Sequence, residues 1–250
     1  MKIVILGSGN VAYHLVKAFH EKGIQISQIF GRNENDLKEI SKTFSVPYST
    51  SELQNADFYL IAVKDDAVAE VSRNITEENC LVAHTSGSLS KETLIGSYRK
   101  ASFYPLQTFS KSKKLNYEEI PFFLEAENNQ DLEMMKDLAL KISDKITISD
   151  YEKRKYIHLT AVFACNFVNH LFARAKEISD SQNIPFSYFL PLIEETTSKI
   201  IEVEPKLAQT GPAVRNDERV LDLHEALITN EEHLKIYRVM NDSIKKMYEL

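Results

Sequence analysis

The chain has 250 residues, 43% of them hydrophobic and 26% charged, with a formal net charge of −6. These proportions suit a soluble globular protein of one large or two ordinary domains, and without a lysine/arginine block to track a phosphate backbone, nucleic acid is not an expected partner. Cys80 and Cys165 fit neither a zinc spacing nor a disulfide framework, no stretch approaches the ~20 apolar residues of a membrane span, and the opening residues do not form a signal peptide, so the expected location is the cytoplasm.

The first half alternates short apolar runs with amphipathic ones. Ile3-Val4-Ile5-Leu6 reads as a fully buried strand, and residues 10–22 as a helix stopped by Gly23. A strand at 26–30 and a helix at 33–43 follow, then a short strand at 46–48. The run 57–63 is a strong strand, followed by a helix at 66–72 and a strand at 81–84. Strands at 101–104 and 121–125, a helix at 131–142 and a strand at 145–148 complete the region. Continuous apolar strands alternating with helices mean a mostly parallel sheet covered on both faces. Beyond residue 150 no strand pattern remains. Helices are predicted over 151–180, 185–203, 217–229 and 231–248. Gly211 and Pro212 make 205–216 a connecting loop. The expected organisation is an α/β domain over 1–150 and an all-α domain over 151–250.

Gly7-Ser8-Gly9-Asn10-Val11-Ala12 follows the first strand directly and opens a helix. It fits G-x-G-x-x-G/A: the first glycine permits the turn, the second lets backbone approach a pyrophosphate, and the small sixth residue lets helix pack on strand. Residues 1–150 therefore read as a Rossmann-type dinucleotide-binding domain. The second strand ends Phe30-Gly31-Arg32-Asn33, with no acid at its tip. A guanidinium there can pair a 2′-phosphate and stack on adenine, which favours NADP over NAD.

Ligands in open α/β sheets gather at the carboxyl ends of strands. Two further ends are candidates, Ala62-Val63-Lys64-Asp65-Asp66 and His84-Thr85-Ser86-Gly87-Ser88. The expected cofactor contacts are Gly7, Ser8, Gly9, Asn10, Val11, Arg32, Asn33, Val63, Lys64 and Thr85. The helix from Tyr151 is apolar nearly all round between Ile157 and Ala173, so it is expected to be buried on most sides. It nevertheless carries Lys155, His158, Asn166 and Asn169, which fall on one arc at ~100° per residue. Buried polar groups need partners, so the arc reads as either a satisfied network or a pocket lining.

These features together resemble the superfamily of pyrroline-5-carboxylate reductase, ketopantoate reductase and deazaflavin-dependent NADP reductase. Within it the chain is similar to an uncharacterised branch of Rossmann-like oxidoreductases with a C-terminal domain of unknown function. The stretches that carry the likeness are 84–88, Tyr104-Pro105-Leu106-Gln107-Thr108-Phe109, Lys155-Tyr156-Ile157-His158 running to Asn166, and 210–215 with Asp217. The resemblance implies an NADP-linked oxidoreductase, a helical domain of the 6-phosphogluconate-dehydrogenase-like type and a helix-swapped or helix-packed dimer. In one respect the chain departs from it: Tyr104 stands where that branch has a histidine before the proline, so either the position is not catalytic or a hydroxyl replaces an imidazole. The Lys-x-x-x-Asn pair of the hydroxyisobutyrate dehydrogenases is also missing, since Leu159 follows Lys155 at that spacing.

Two readings follow. In the first the chain reduces a small C=O or C=N substrate at an interdomain cleft with NADPH, using His84, Ser86, His158 and Asn166; either histidine donates the proton, and Ser86 or Asn166 orients the substrate. In the second it is a non-catalytic NADP-binding or sensing protein. In either case the stripe Leu234, Tyr237, Met240, Ile244 and Met247 can cover one side of the long helix and residues 185–203 a second; the remaining apolar side is expected to be buried against a second copy, the competing idea being that the α/β domain covers it alone.

Overall fold

The computed structural model describes all 250 residues, which divide into two compact units, Met1–Asn166 and Phe167–Leu250. The first unit runs β1 (Ile3–Leu6), α1 (Asn10–Glu21), β2 (Gln28–Phe30), α2 (Glu34–Phe44), β3 (Tyr48–Ser49), β4 (Phe58–Ile61), α3 (Val68–Ser72), β5 (Leu81–His84), β6 (Arg99–Pro105), β7 (Phe122–Ala126), α4 (Asn129–Ala139), β8 (Ile146–Ile148) and α5 (Tyr151–Ala161). One eight-stranded sheet has the order β3-β2-β1-β4-β5-β6-β7-β8. Every pairing is parallel except β6 with β7. The chain steps outward from β1 to β3, then returns to β4 on the other side of β1. That reversal opens a crevice at the carboxyl ends of β1 and β4, where such sheets bind ligands.

Alternate side chains of each strand feed different cores, as the two-residue period requires. Ile3, Ile5, Phe58, Leu60, Leu81 and Ala83 pack with α1, α2 and α4 through residues such as Phe19, Leu37 and Met135. Val4, Leu6, Tyr59, Ile61 and Val82 pack on the opposite side with Val68, Leu94 and Tyr98. Burial on both faces is why these strands read as unbroken apolar runs.

Helix α1 ends as its glycine predicts. Gly23 has φ +66, and the amides of Gly23 and Ile24 donate to His20 and Phe19 carbonyls at 3.1 and 2.8 Å, the paired bonds of a glycine-terminated helix. The second strand begins at Gln28 rather than 26. Its side chain is buried and satisfied locally, donating to the Glu52 carbonyl at 2.9 Å and accepting from the Gln54 amide at 3.0 Å.

The second unit contains α6 (Val168–Ser181), α7 (Leu190–Glu202), α8 (Pro205–Ala208), α9 (Glu218–Leu227) and α10 (Glu231–Met247). The expected loop at 205–216 therefore contains one helical turn and a short 3-10 segment. The predicted helix over 151–180 is continuous, but residues Val162–Phe167 form a π-helical stretch. A π turn adds a residue to the helix, offsetting later positions by roughly 100°. The single polar arc through Lys155, His158, Asn166 and Asn169, drawn for a uniform α-helix, does not survive that offset. Nor is the helix buried on most sides within one chain: Leu159 is 49% and Phe163 63% exposed.

Candidate functional site

The glycine turn leaves no room for another residue at its first position. Gly7 adopts φ +132, and a Cβ on it would lie 2.2 Å from the Ala62 carbonyl oxygen. Its amide donates to the Phe30 carbonyl at 2.8 Å. This one glycine thus knits together the ends of β1, β2 and β4. Gly9, by contrast, has nothing within 4 Å of where a Cβ would stand, so the space in front of it is open. Gly9 is also the N-cap of α1, with no side-chain cap bond and no acid in the first turn. The leading N–H groups and positive dipole end of α1 are thus left available to an anion.

A cavity of about 650 Å³ opens here, lined by Gly7, Ser8, Gly9, Asn10 and Val11 from the turn and by Arg32 and Asn33 from the end of β2. Val63 and Lys64, after β4, complete this group of expected residues on its wall. The size is that of a small-ligand site. The open space at Gly9, the uncapped helix and two cationic side chains fit a dinucleotide phosphate chain. Thr85 does not line this cavity; its amide donates to the Ile61 carbonyl at 3.0 Å, tying the β5 loop to β4. The wall also holds Asp66, from the 62–66 strand end, and Asp36 and Glu70, two acids that the strand-tip reading did not anticipate because they lie on the following helices.

A second cluster lies at the ends of β5 and β6. His84 is fully buried. Its Nδ1 accepts from the Ser86 amide at 3.2 Å, and Nε2 has no partner. Burial foremost, then the nearby Arg154 charge, lowers its pKa to about 4, so the imidazole is neutral at physiological pH. Ser86 Oγ accepts from the amides of Ser88 and Leu89 at 3.0 and 3.2 Å, which folds the loop back on itself. At Gly87 a Cβ would come within 2.7 Å of Tyr104 Cζ and 2.8 Å of both His158 Cβ and Nδ1. Only a glycine lets β6 and α5 close over the loop at this distance.

Above Gly87 the Tyr104 hydroxyl and His158 Nδ1 share a 2.9 Å hydrogen bond, with the rings edge to face at 5.9 Å. Burial, the largest influence, pushes the Tyr104 hydroxyl up to about 12, with Arg154 opposing and Asp65 reinforcing. It therefore holds its proton across the neutral range. Arg154 stands one helical turn before His158 and is fully buried. It pairs with Glu125 on β7 and donates to the Leu89 carbonyl at 2.6 Å. These two bonds pin α5 to the sheet and to the β5 loop, and so place His158 over Gly87. Asn166, in the π stretch, is exposed. The structure thus brings His84, Ser86 and His158 into one loop–strand–helix cluster and adds Tyr104, marked in the sequence only as a departure from the resembling branch, and Arg154, which carries no motif of its own.

No curated protein matches the chain at a significant level. Residues 2–86 match the family model described as NADP oxidoreductase, coenzyme F420-dependent. Residues 120–244 match DUF2520, a domain of unknown function. Among solved structures, a candidate NADP oxidoreductase from Bacteroides fragilis is 38% identical, with a TM-score of 0.93 over 100% of this chain and 98% of that one. Protein TM1727 from Thermotoga maritima is 22% identical, with a TM-score of 0.83 over 99% and 100%. A reductive aminase from Aspergillus terreus, solved with NADPH and ethyl levulinate, shares the fold at 12% identity and TM-score 0.70 over 98% and 94%. With a Rossmann-type half that matches an NADP oxidoreductase model and a second half that matches DUF2520, the chain belongs to the DUF2520 family of Rossmann-fold oxidoreductases.

Proposed function

We propose that the protein is an NADP(H)-dependent reductase of a small C=O or C=N substrate, with Tyr104 as the proton donor and His158 as its proton relay. The observation that carries this reading is the Tyr104–His158 hydrogen bond closed over Gly87. It sits at the carboxyl end of the sheet, with Tyr104 on β6 and Gly87 just after β5, the strand between β6 and β4. Arg32 and Lys64 on the cavity wall support NADP over NAD. The cofactor, when bound, supplies the hydride. Tyr104 Oη–H gives its proton to the substrate oxygen or nitrogen as negative charge develops there. A protonated His158 then returns a proton through Nδ1 to Tyr104 Oη, and the half-buried imidazole exchanges with solvent. His84, buried and neutral, holds the loop through the Ser86 amide, a positioning role; Ser86 shapes the same loop, and Asn166 is retained as a substrate-orienting candidate. The substrate would lie in an interdomain cleft, because the helix supplying His158 runs on into residues of the second unit.

NADPH oxidation with a panel of small carbonyl compounds and imines tests the reading. Tyr104→Phe should lower kcat on the best substrate by about 10²–10⁴, the range of a general acid, with NADP⁺ affinity unchanged. Tight NADPH binding without turnover of any substrate would instead favour the sensing alternative, and an unimpaired Tyr104→Phe enzyme would remove the tyrosine from the mechanism.

Dimerisation through the helical unit belongs to the same proposal. Within Phe167–Leu250 only Ala213 and Leu221 are buried apolar residues, while Ile201 is 85%, Leu207 78% and Leu227 69% exposed. An 84-residue span with so little core of its own is supported by a second copy, whose obligate apolar interface should exceed roughly 2,000 Å². Light scattering at micromolar concentration should give twice the 28.6 kDa chain mass; a concentration-independent monomer would contradict it.

A further inference from the structure

The wall of the phosphate cavity contains an acid where an acid should be costly. Asp36, in the first turn of α2 and four residues after Arg32, lines the same cavity as that guanidinium. A free carboxylate in this region accepts hydrogen bonds from a ribose diol and repels a 2′-phosphate. Here neither oxygen is free. Oδ2 accepts from Asn33 Nδ2 at 2.7 Å, and Oδ1 accepts from Lys111 Nζ at 3.1 Å.

Lys111 comes from the connection between β6 and β7, 75 residues further along the chain. Its ammonium also reaches Glu39 Oε2 at 3.4 Å and lies 5.9 Å from the centre of the Tyr13 ring. The connection is held in place from below. His14 is a fully buried residue of α1, the helix whose N-terminus faces the cavity. Its Nε2 bonds the Ser110 carbonyl at 2.9 Å, and its Nδ1 bonds the Tyr117 hydroxyl at 2.8 Å. Buried polar side chains of this kind fix a loop because no alternative partner is available to them. The residue next to Lys111 is therefore tied to the cofactor helix, which holds the base of the lysine side chain within reach of Asp36. Lys111 is 26% and Asp36 36% exposed, so solvent screening of the pair is incomplete.

We propose that Lys111 sets the preference for the phosphorylated dinucleotide by occupying and neutralising Asp36. With Lys111 in place, a 2′-phosphate beside Arg32 meets a carboxylate whose charge is offset by the ammonium it shares with Glu39; without it, the same phosphate meets a bare carboxylate, and an unphosphorylated ribose gains an acceptor. The inference rests on the reading that the cavity binds NADP.

Calorimetric titration with NADP⁺ and NAD⁺ at low salt tests it on the wild type, Lys111→Met, Asp36→Asn and the double variant. Methionine keeps the stem beside Tyr13, and a thermal melt of each variant verifies the fold. A phosphate bearing close to two negative charges and a carboxylate several ångströms away give an expected loss of roughly tenfold in NADP⁺ affinity for Lys111→Met. NAD⁺ affinity should hold or rise. In the Asp36→Asn background the same lysine change should cost less than about threefold, because the charge it neutralised is gone. An unchanged NADP⁺/NAD⁺ ratio in Lys111→Met overturns the proposal. So does a full tenfold loss in the Asp36→Asn background, which would mean that the lysine touches the phosphate directly. Equal affinities of the wild type for the two cofactors overturn the NADP reading itself, and this inference with it.

Discussion

Gly7→Ala should abolish cofactor binding and destabilise the first unit by about 3–5 kcal/mol. Two separate costs add. A side chain at φ +132 sits in a region that L residues rarely adopt, a strain of about 1–3 kcal/mol. The new Cβ would also lie 2.2 Å from the Ala62 carbonyl oxygen, a backbone atom immediately after the central strand β4, held there by the Ala62 amide's bond to the Leu6 carbonyl. Overpacking of this kind costs roughly another 1–3 kcal/mol. Against a total stability of about 5–15 kcal/mol, the variant should melt markedly lower if it folds at all. Gly9→Ala is the control. Its Cβ meets nothing within 4 Å, so the fold should be kept while the methyl group intrudes where the pyrophosphate approaches. Thermal melting with and without NADP⁺ separates the two: Gly7→Ala loses the melt, and Gly9→Ala loses mainly the shift that cofactor induces. Normal melting and binding in Gly7→Ala would contradict the account of the turn.

Arg154→Ala should cost about 3 kcal/mol and disconnect α5 from the site. The guanidinium is fully buried, and removing one partner of a buried pair leaves the other charge without compensation, typically a loss of 3–5 kcal/mol. The lower end is expected because Lys91 Nζ stands 3.6 Å from the other Glu125 oxygen and takes up part of the charge. Arg154→Met with Glu125→Gln removes both charges and should recover more than half of the loss, as replacement of buried pairs usually does. The double variant should still be impaired in turnover, because the bond to the Leu89 carbonyl that seats α5 on the β5 loop is gone. Urea denaturation reads the first effect and NADPH oxidation the second. A single variant as stable as the wild type would show that the pair is dispensable.

The parts legible in the sequence were those governed by local chemistry. The apolar strands, the stop at Gly23 and the glycine turn each announce themselves within a few residues, and residues 7–11, 32, 33, 63 and 64 all reach one cavity. What stayed hidden depends on distant residues or on helix geometry. Arg154 carries no sequence signal, and its partner Glu125 comes from β7. Lys111 likewise carries none, and its partner Asp36 comes from α2. Tyr104 stood out only as a departure from a resembling family, and its meaning came from His158, 54 positions later. The π stretch at Val162–Phe167 has no sequence signal of its own, so a polar arc computed at a uniform 100° per residue lost its register there. Burial of the long helix was inferred from composition, which does not say whether the covering surface belongs to the same chain.

The most direct test of the central claim is a calorimetric titration of the wild-type protein with NADP⁺ and NAD⁺, repeated on Arg32→Asp. The account predicts tighter binding of NADP⁺ by the wild type, because Arg32 and Lys64 line the cavity and a guanidinium pairs a phosphate in two-pronged fashion. It also predicts loss of that preference in Arg32→Asp. Equal affinity of the wild type for the two cofactors, or binding of neither, would contradict it.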